Sequence, residues 1–155
     1  MEKAYQPVWI NLMAIASHDN MPEYPIQFMA SGKLWYQSPG KALLRYTETQ
    51  QDETTGEITS CEISLSVTDG KVFLVREGEF SNTMVFAENQ RYEGTYHTPY
   101  GELAMGVMAR GVACDIGPEK GSVHLRYELN IQGAYASTNE LHLAYRKEDP
   151  PTMAS

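Results

Sequence analysis

The sequence contains little cysteine, few basic residues and no long uninterrupted apolar run. Only two cysteines, Cys61 and Cys114, occur in 155 residues, and each lies among apolar neighbours. A disulfide framework in an exported domain needs more cysteines than this, whereas a lone thiol is commonly a small buried hydrophobe. We therefore expect both thiols to be buried and reduced.

Basic residues are outnumbered, with 12 Lys and Arg against 20 Asp and Glu and a formal net charge of −8. An acidic chain repels phosphate backbones and anionic lipid, and no Lys/Arg cluster offsets that repulsion. We expect neither a nucleic acid nor a membrane as a partner. The apolar segment near the N-terminus follows Gln6-Pro7 and is interrupted by Asn11. It resembles neither a secretory signal nor a spanning helix, which predicts a cytoplasmic protein.

Helical periodicity is also scarce, because glycine and β-branched residues interrupt every candidate segment. Alternation with a period of two replaces it and is clearest over 122–132, where every second residue is apolar. Strands of this kind, separated by frequent turn signals, predict an all-β fold. An open sheet of that length would expose its edges, so we predict a single antiparallel up-and-down β-barrel of about 8–10 strands. We assign residues 1–148 to this domain and 149–155 to a flexible tail.

Several turns follow from local chemistry. Asp69-Gly70 indicates a type I′ hairpin, and Thr98-Pro99-Tyr100-Gly101 indicates a turn between two strands. The alternating positions expected to point into the barrel shift by one residue near Gly111, which predicts a β-bulge there. We expect separate strands at 26–30 and 34–36, and a loop at 133–137.

The chain resembles the YwiB-like family of uncharacterised bacterial proteins. The segments that carry the resemblance are Gly32-Lys33-Leu34-Trp35-Tyr36, Asp69-Gly70-Lys71-Val72, Arg76-Glu77-Gly78, Met84-Val85-Phe86, Tyr96-His97-Thr98-Pro99-Tyr100-Gly101 and Tyr127-Glu128-Leu129. The resemblance implies a lipocalin-like, calycin-type β-barrel. It implies no activity.

Arg76 is the first candidate site residue. If it shares the inward face with Val72 and Leu74, it could hold a ligand carboxylate inside the barrel, since a buried guanidinium needs an acceptor. The alternative, which we favour, is a structural role in which Arg76 closes the barrel by packing over the ring of Trp9 or Trp35, with carbonyl oxygens as its acceptors. With the opposite facing of the strand, Arg76 would be solvated.

Four tyrosines provide amphipathic rings in one region of the sheet: Tyr92, Tyr96, Tyr100 and Tyr127. Few polar anchors in an apolar cavity are typical of a ligand site, but the same rings could also form an ordinary core. We include all four as candidate ligand-binding residues.

The remaining polar groups indicate no reaction. His124 and His142 should lie side by side on the outer face of paired strands, and His97 should also point outward. The acidic pairs Glu77/Glu79 and Glu93/Glu102 fall in turns or on the outer face. We expect no catalytic residue, no metal and no cofactor; the one enzymatic alternative left open is a catalytic site that distant residues assemble only in the folded protein.

Two functions remain open. One is a non-enzymatic module that binds a small apolar or carboxylate-bearing ligand in the barrel mouth. The other is a structural or protein-interaction barrel with a filled core, acting through its surface or as a homodimer.

Overall fold

The computed structural model describes residues 4–17, 24–51 and 54–148, and the regular secondary structure among them consists of β-strands joined by turns. No helix long and apolar enough to cross a membrane is found among them. The strands are β1 (Gln6–Ser17), β2 (Tyr24–Ser38), β3 (Lys41–Gln51), β4 (Ile58–Thr68), β5 (Lys71–Glu77), β6 (Asn82–Phe86), β7 (Arg91–Thr98), β8 (Gly101–Asp115), β9 (Lys120–Ile131) and β10 (Ala134–Lys147). The all-β prediction is confirmed, at the upper end of the expected strand number.

The ten strands form one antiparallel sheet from two meanders. One meander runs from β1 to β6 and the other from β7 to β10, and they join through β1 and β10. That ladder extends from Val8 opposite Lys147 to Ser17 opposite Thr138. The strand order is therefore cyclic, and the two edges of the sheet belong to β6 and β7, which are consecutive in sequence.

The junction between β6 and β7, here called the seam, nearly closes the barrel. Ser81 and His97 exchange two backbone hydrogen bonds across it, with N···O distances of 2.9 and 2.8 Å. The Asn82 side chain reaches β8, where Nδ2 lies 3.6 Å from the Met105 sulfur. Among the described residues, the seam is thus bridged by the Ser81–His97 backbone pair and by a side chain, and no continuous ladder of backbone hydrogen bonds joins β6 to β7.

The barrel interior is filled over most of its length. In β4, Ile63, Leu65 and Val67 are buried, whereas Ser64 and Ser66 between them are partly exposed. This alternation places apolar side chains inside, where their removal from water stabilises the fold. The most deeply buried side chains are Val8, Ile10, Leu34, Ile63, Leu65, Val72, Phe86, Val107, Val123, Leu125 and Leu143.

Two of the local predictions are confirmed. Asp69 and Gly70 have φ angles of 47° and 83°, as a type I′ hairpin requires. The β8–β9 register shifts between Ala109 and Gly111, which is the predicted bulge.

Two other local predictions are wrong. Strand β2 runs without a break through Gly32, because this glycine allows close packing and makes no turn: a Cβ there would meet the Ile10 side chain and the Arg45 carbonyl. The expected loop at 133–137 is a two-residue turn of Gln132 and Gly133, with φ angles of 53° and 80°, and the bulge in β10 follows it. The predicted tail, 149–155, lies outside the described residues.

Both cysteines are unpaired, but neither is fully buried. Cys114 is half-buried, and partial burial raises the pKa of its thiol. Cys61 is also half-buried because it lies near one end of the barrel, where the core gives way to a pocket. The prediction of buried thiols therefore overstated how far the core extends.

Candidate ligand-binding pocket

The inner face of the barrel changes from apolar to polar at one end, here called the mouth. An apolar row of register partners crosses four strands at Leu44, Leu65, Leu74 and Met84. The next row toward the mouth consists of Tyr46, Ile63, Arg76 and Asn82, and beyond it lie Glu48 and Cys61. The same period of two that builds the core thus brings polar groups inside.

Arg76 and Glu48 form an ion pair within the mouth. Arg76 Nη1 lies 3.4 Å from Glu48 Oε1, and the two side chains are 27% and 22% exposed. Val72 and Leu74 are buried on the same face of β5, so the inward orientation of Arg76 is confirmed. The alternative in which Arg76 packs over Trp9 or Trp35 is wrong, because both rings lie outside the barrel. There Trp35 receives the guanidinium of Arg45 instead, 5.9 Å from its ring centroid.

A pocket of about 260 Å³ opens at the mouth beside this ion pair. Its lining residues are Glu48, Thr59, Ser60, Cys61, Arg76, Glu79, Phe80 and Tyr96. The Phe80 and Tyr96 rings, with centroids 6.2 Å apart, supply its aromatic part. The volume lies just below the usual range for drug-sized ligands and suits a small fragment-like molecule. A larger cleft of about 650 Å³ lies at the opposite end of the barrel and is wide open to solvent.

The structure separates the predicted tyrosines. Tyr96 lines the pocket with Arg76. Tyr127 points inward and packs edge-on against Phe86, with centroids 4.8 Å apart. Tyr92 is half-buried beside Gly94, whereas Tyr100 is 94% exposed in the turn after β7 and does not line the pocket.

Two buried phenols extend the polar region below the pocket. Burial raises the pKa of Tyr46, and the Glu48 carboxylate raises it further, while Arg76 acts in the opposite direction. Burial likewise raises the pKa of Tyr127, and Arg76 again opposes the shift. Both hydroxyls therefore remain protonated at neutral pH and within the electrostatic influence of Arg76.

Sequence reasoning missed Tyr46, Glu48 and Asn82. A signal for the first two was present, because Leu44, Tyr46 and Glu48 share the inward parity of β3. An acidic residue at an inward position indicates a buried cationic partner. Asn82 gave no such signal, since it lies at the first residue of β6, where parity is least certain.

The three histidines of the described residues, His97, His124 and His142, lie outside the pocket. His124 and His142 are register partners, with ring centroids 5.1 Å apart, and His124 Nε2 lies 2.6 Å from Glu140 Oε1. Their side-by-side placement is confirmed, but the neighbouring carboxylate was not foreseen. Within the described ranges, no group of three or more metal-ligating side chains is arranged to hold an ion. The His97 side chain is half-exposed, and its Nδ1 lies 3.2 Å from Glu102 Oε1.

The fold and the pocket define a nearly closed, ten-stranded antiparallel β-barrel protein whose packed core ends in a polar mouth. Residues 10–143 match the family described as "Domain of unknown function (DUF1934)", and the chain belongs to that family. It is 20% identical over 143 residues to the "Uncharacterized beta-barrel protein YwiB" of Bacillus subtilis (strain 168), covering 92% of this chain and 95% of that protein.

The fold is also similar to a solved structure. The crystal structure of the ywiB protein from Bacillus subtilis superposes with a TM-score of 0.75 at 16% sequence identity, covering 94% of both chains. At this identity the likeness establishes the barrel and carries no function with it. The predicted family resemblance is confirmed, whereas the calycin-type relationship stays a prediction.

Proposed function

We propose that this protein is a non-enzymatic binding module that takes a small, partly apolar molecule in the barrel mouth. The polar end of the molecule would contact Arg76, and its apolar part would pack against Phe80 and Tyr96. We place this role in the cytoplasm, where the thiols of Cys61 and Cys114 would stay reduced. A ligand held at the mouth of a barrel is the arrangement expected of a calycin-type protein.

The observation that supports the proposal is the ion pair itself. Arg76 and Glu48 are each about three-quarters removed from solvent at the end of an apolar core. Desolvating two charges offsets most of their attraction, and apolar side chains of similar volume commonly stabilise a core as well or better. A role in ligand recognition explains why charged groups occupy these inward positions.

Native mass spectrometry of protein purified from its natural host tests the proposal. We expect a co-purifying small molecule on the wild-type protein and none on Arg76→Met. Arg110→Met is the matched control, because Arg110 forms a comparable 3.2 Å ion pair with Glu128 on the outer face. The molecule should remain on this control. Absence of any small molecule from the wild type, or equal retention by Arg76→Met, would contradict the proposal.

A second candidate function is interaction through the outer face, for example as a homodimer. It is favoured by two exposed apolar side chains on adjacent strands: Met29 of β2 is 66% exposed and Trp9 of β1 is 36% exposed. Multi-angle light scattering at several concentrations measures the oligomeric state. A dimer that dissociates on Met29→Glu would favour this function, and a wild-type monomer throughout would count against it.

A further inference from the structure

The wall of the mouth pocket carries charges of both signs, and its acidic groups outnumber its basic ones. Arg76, Glu48 and Glu79 all line the pocket. Glu48 Oε1 lies 3.4 Å from Arg76 Nη1 and offsets the guanidinium charge. Glu79 lies between β5 and β6, and no cationic side chain of the described residues is within ion-pair distance of it. The pocket therefore holds one carboxylate in excess.

Arg76 keeps donors available for a ligand. Its contact with Glu48 is the one side-chain hydrogen bond that it makes to the described residues, which leaves most of the five guanidinium donors unused. Such donors recognise a carboxylate well. A carboxylate alone, however, would add a second uncompensated negative charge to a partly desolvated pocket, which is unfavourable. A ligand that brings a positive charge as well avoids this cost.

We propose that the mouth binds a small zwitterion that carries an ammonium group beside a carboxylate, as a free α-amino acid does. The ligand carboxylate would accept hydrogen bonds from Arg76, and its ammonium group would donate to Glu79. Together with Glu48, charges of alternating sign would then follow one another through the pocket. This inference rests on the proposed binding function and narrows its ligand from a carboxylate-bearing molecule to one that also carries a cation.

The size of the pocket brings these groups within reach of one molecule. Its volume of about 260 Å³ lies just below the range of drug-sized ligands, so an occupant of amino-acid size contacts the walls on several sides. The rings of Phe80 and Tyr96, with centroids 6.2 Å apart, line the same volume. They would pack against an apolar or aromatic side chain of the ligand.

Three probes that share a phenyl group separate the alternatives: L-phenylalanine, phenethylamine and hydrocinnamate. The amine lacks the carboxylate and hydrocinnamate lacks the ammonium group, so each removes one of the two charged contacts. Ligand-observed NMR titrations of the full chain give the three dissociation constants. We expect L-phenylalanine to bind about tenfold more tightly than either of the others, since each lost contact is a charge-assisted hydrogen bond at a partly solvated site.

Two variants assign the charges to their residues. Glu79→Gln should cancel the advantage of L-phenylalanine over hydrocinnamate and keep its advantage over phenethylamine, whereas Arg76→Met should do the reverse. Glu79 is exposed outside the strands, so its variant should fold as the wild type does. Glu88→Gln is the matched control, because Glu88 is also exposed and follows β6 at the end of the barrel away from the mouth. This control should keep the wild-type preferences.

The inference would be overturned if the three probes bound the wild type equally, if hydrocinnamate or phenethylamine bound most tightly, or if the preferences were unchanged in Glu79→Gln. In each of these cases the binding function would stand. Absence of binding by all three probes would also overturn the inference. Native mass spectrometry of the wild-type protein would then decide the binding function separately, because it does not depend on these probes.

Discussion

The hydroxyl of Tyr145, on β10, bonds twice to Gly117 in the turn between β8 and β9. It donates to the Gly117 carbonyl at 2.8 Å and accepts from the Gly117 amide at 3.1 Å. This side chain thereby fixes the turn at the end of the barrel opposite the mouth.

Replacing Tyr145 by phenylalanine should lower the free energy of unfolding by about 1–3 kcal/mol, because two partly buried backbone groups lose their partner. Urea unfolding measures the change. Tyr135→Phe is the control, because the exposed Tyr135 hydroxyl contacts Thr138 at 2.7 Å in a solvated region. Equal losses in the two variants would contradict the structural role of Tyr145.

Gly121 makes room for this contact. A Cβ at position 121 would meet both the Tyr145 hydroxyl and the backbone carbonyl of Asp115, which cannot move aside without breaking the sheet. Gly121→Ala should therefore displace Tyr145 and cost about 1–3 kcal/mol. In the Gly121→Ala background, Tyr145→Phe should cost clearly less than it does in the wild type, as a double-mutant cycle in urea would show. Additive effects would mean that the glycine and the tyrosine act independently.

Three phenols should make the protein sensitive to alkali. Burial is the largest cause that raises the pKa of Tyr46, Tyr127 and Tyr145. The unfolded chain has tyrosine pKa values of about 10, so the folded protein holds these protons more tightly than the unfolded chain does. Their stabilising contribution is complete below about pH 10 and falls as pH rises through the folded-state values. Unfolding midpoints in urea between pH 8 and 12 should decline above pH 10, and less steeply in Tyr46→Phe.

The Arg76–Glu48 pair should matter for stability mainly when it is broken. Arg76→Met removes the guanidinium that faces the Glu48 carboxylate and should cost about 1–2 kcal/mol, below the value for a fully buried pair because both groups retain some solvent contact. Adding Glu48→Leu should restore most of the loss. Chemical denaturation measures the free energy of unfolding of both variants. A double variant less stable than Arg76→Met alone would contradict this expectation and would show that the ion pair itself stabilises the mouth.

The seam should be the weakest part of the backbone network. The amides of β6 that face β7 lack a continuous partner strand, whereas β9 is paired on both sides. In native-state hydrogen exchange, we expect these β6 amides to exchange faster than those of β9. Uniform protection around the barrel would mean that the seam is closed in solution.

The sequence determined the fold class because one physical pattern, apolar alternation, is local and repeats. The Asp69-Gly70 turn and the Gly111 bulge are equally local, and both were predictable. Gly32 was misread because its role depends on Ile10 and Arg45, which approach it only in the folded sheet.

The pocket was harder to predict because it depends on which strands meet. Arg76 could be identified from its own strand, but its partner Glu48 lies 28 residues away on β3, across β4. Tyr100 shows the opposite error: sequence proximity to Tyr96 suggested a shared cavity, yet the turn directs its ring into solvent.

The pairing of β1 with β10 has a consequence for how the barrel forms. Val8 opposite Lys147 closes nearly the whole chain into one loop, so this ladder contributes the contacts of greatest sequence separation, which slow folding. Yet the Glu148 amide donates to the Pro7 carbonyl at 3.0 Å, which places the two ends of the described chain side by side. A circular permutant joined there and opened at residues 87–90 would contain the same ladders as ten consecutive hairpin-linked strands. The discontinuity between β6 and β7 would then coincide with the new chain termini.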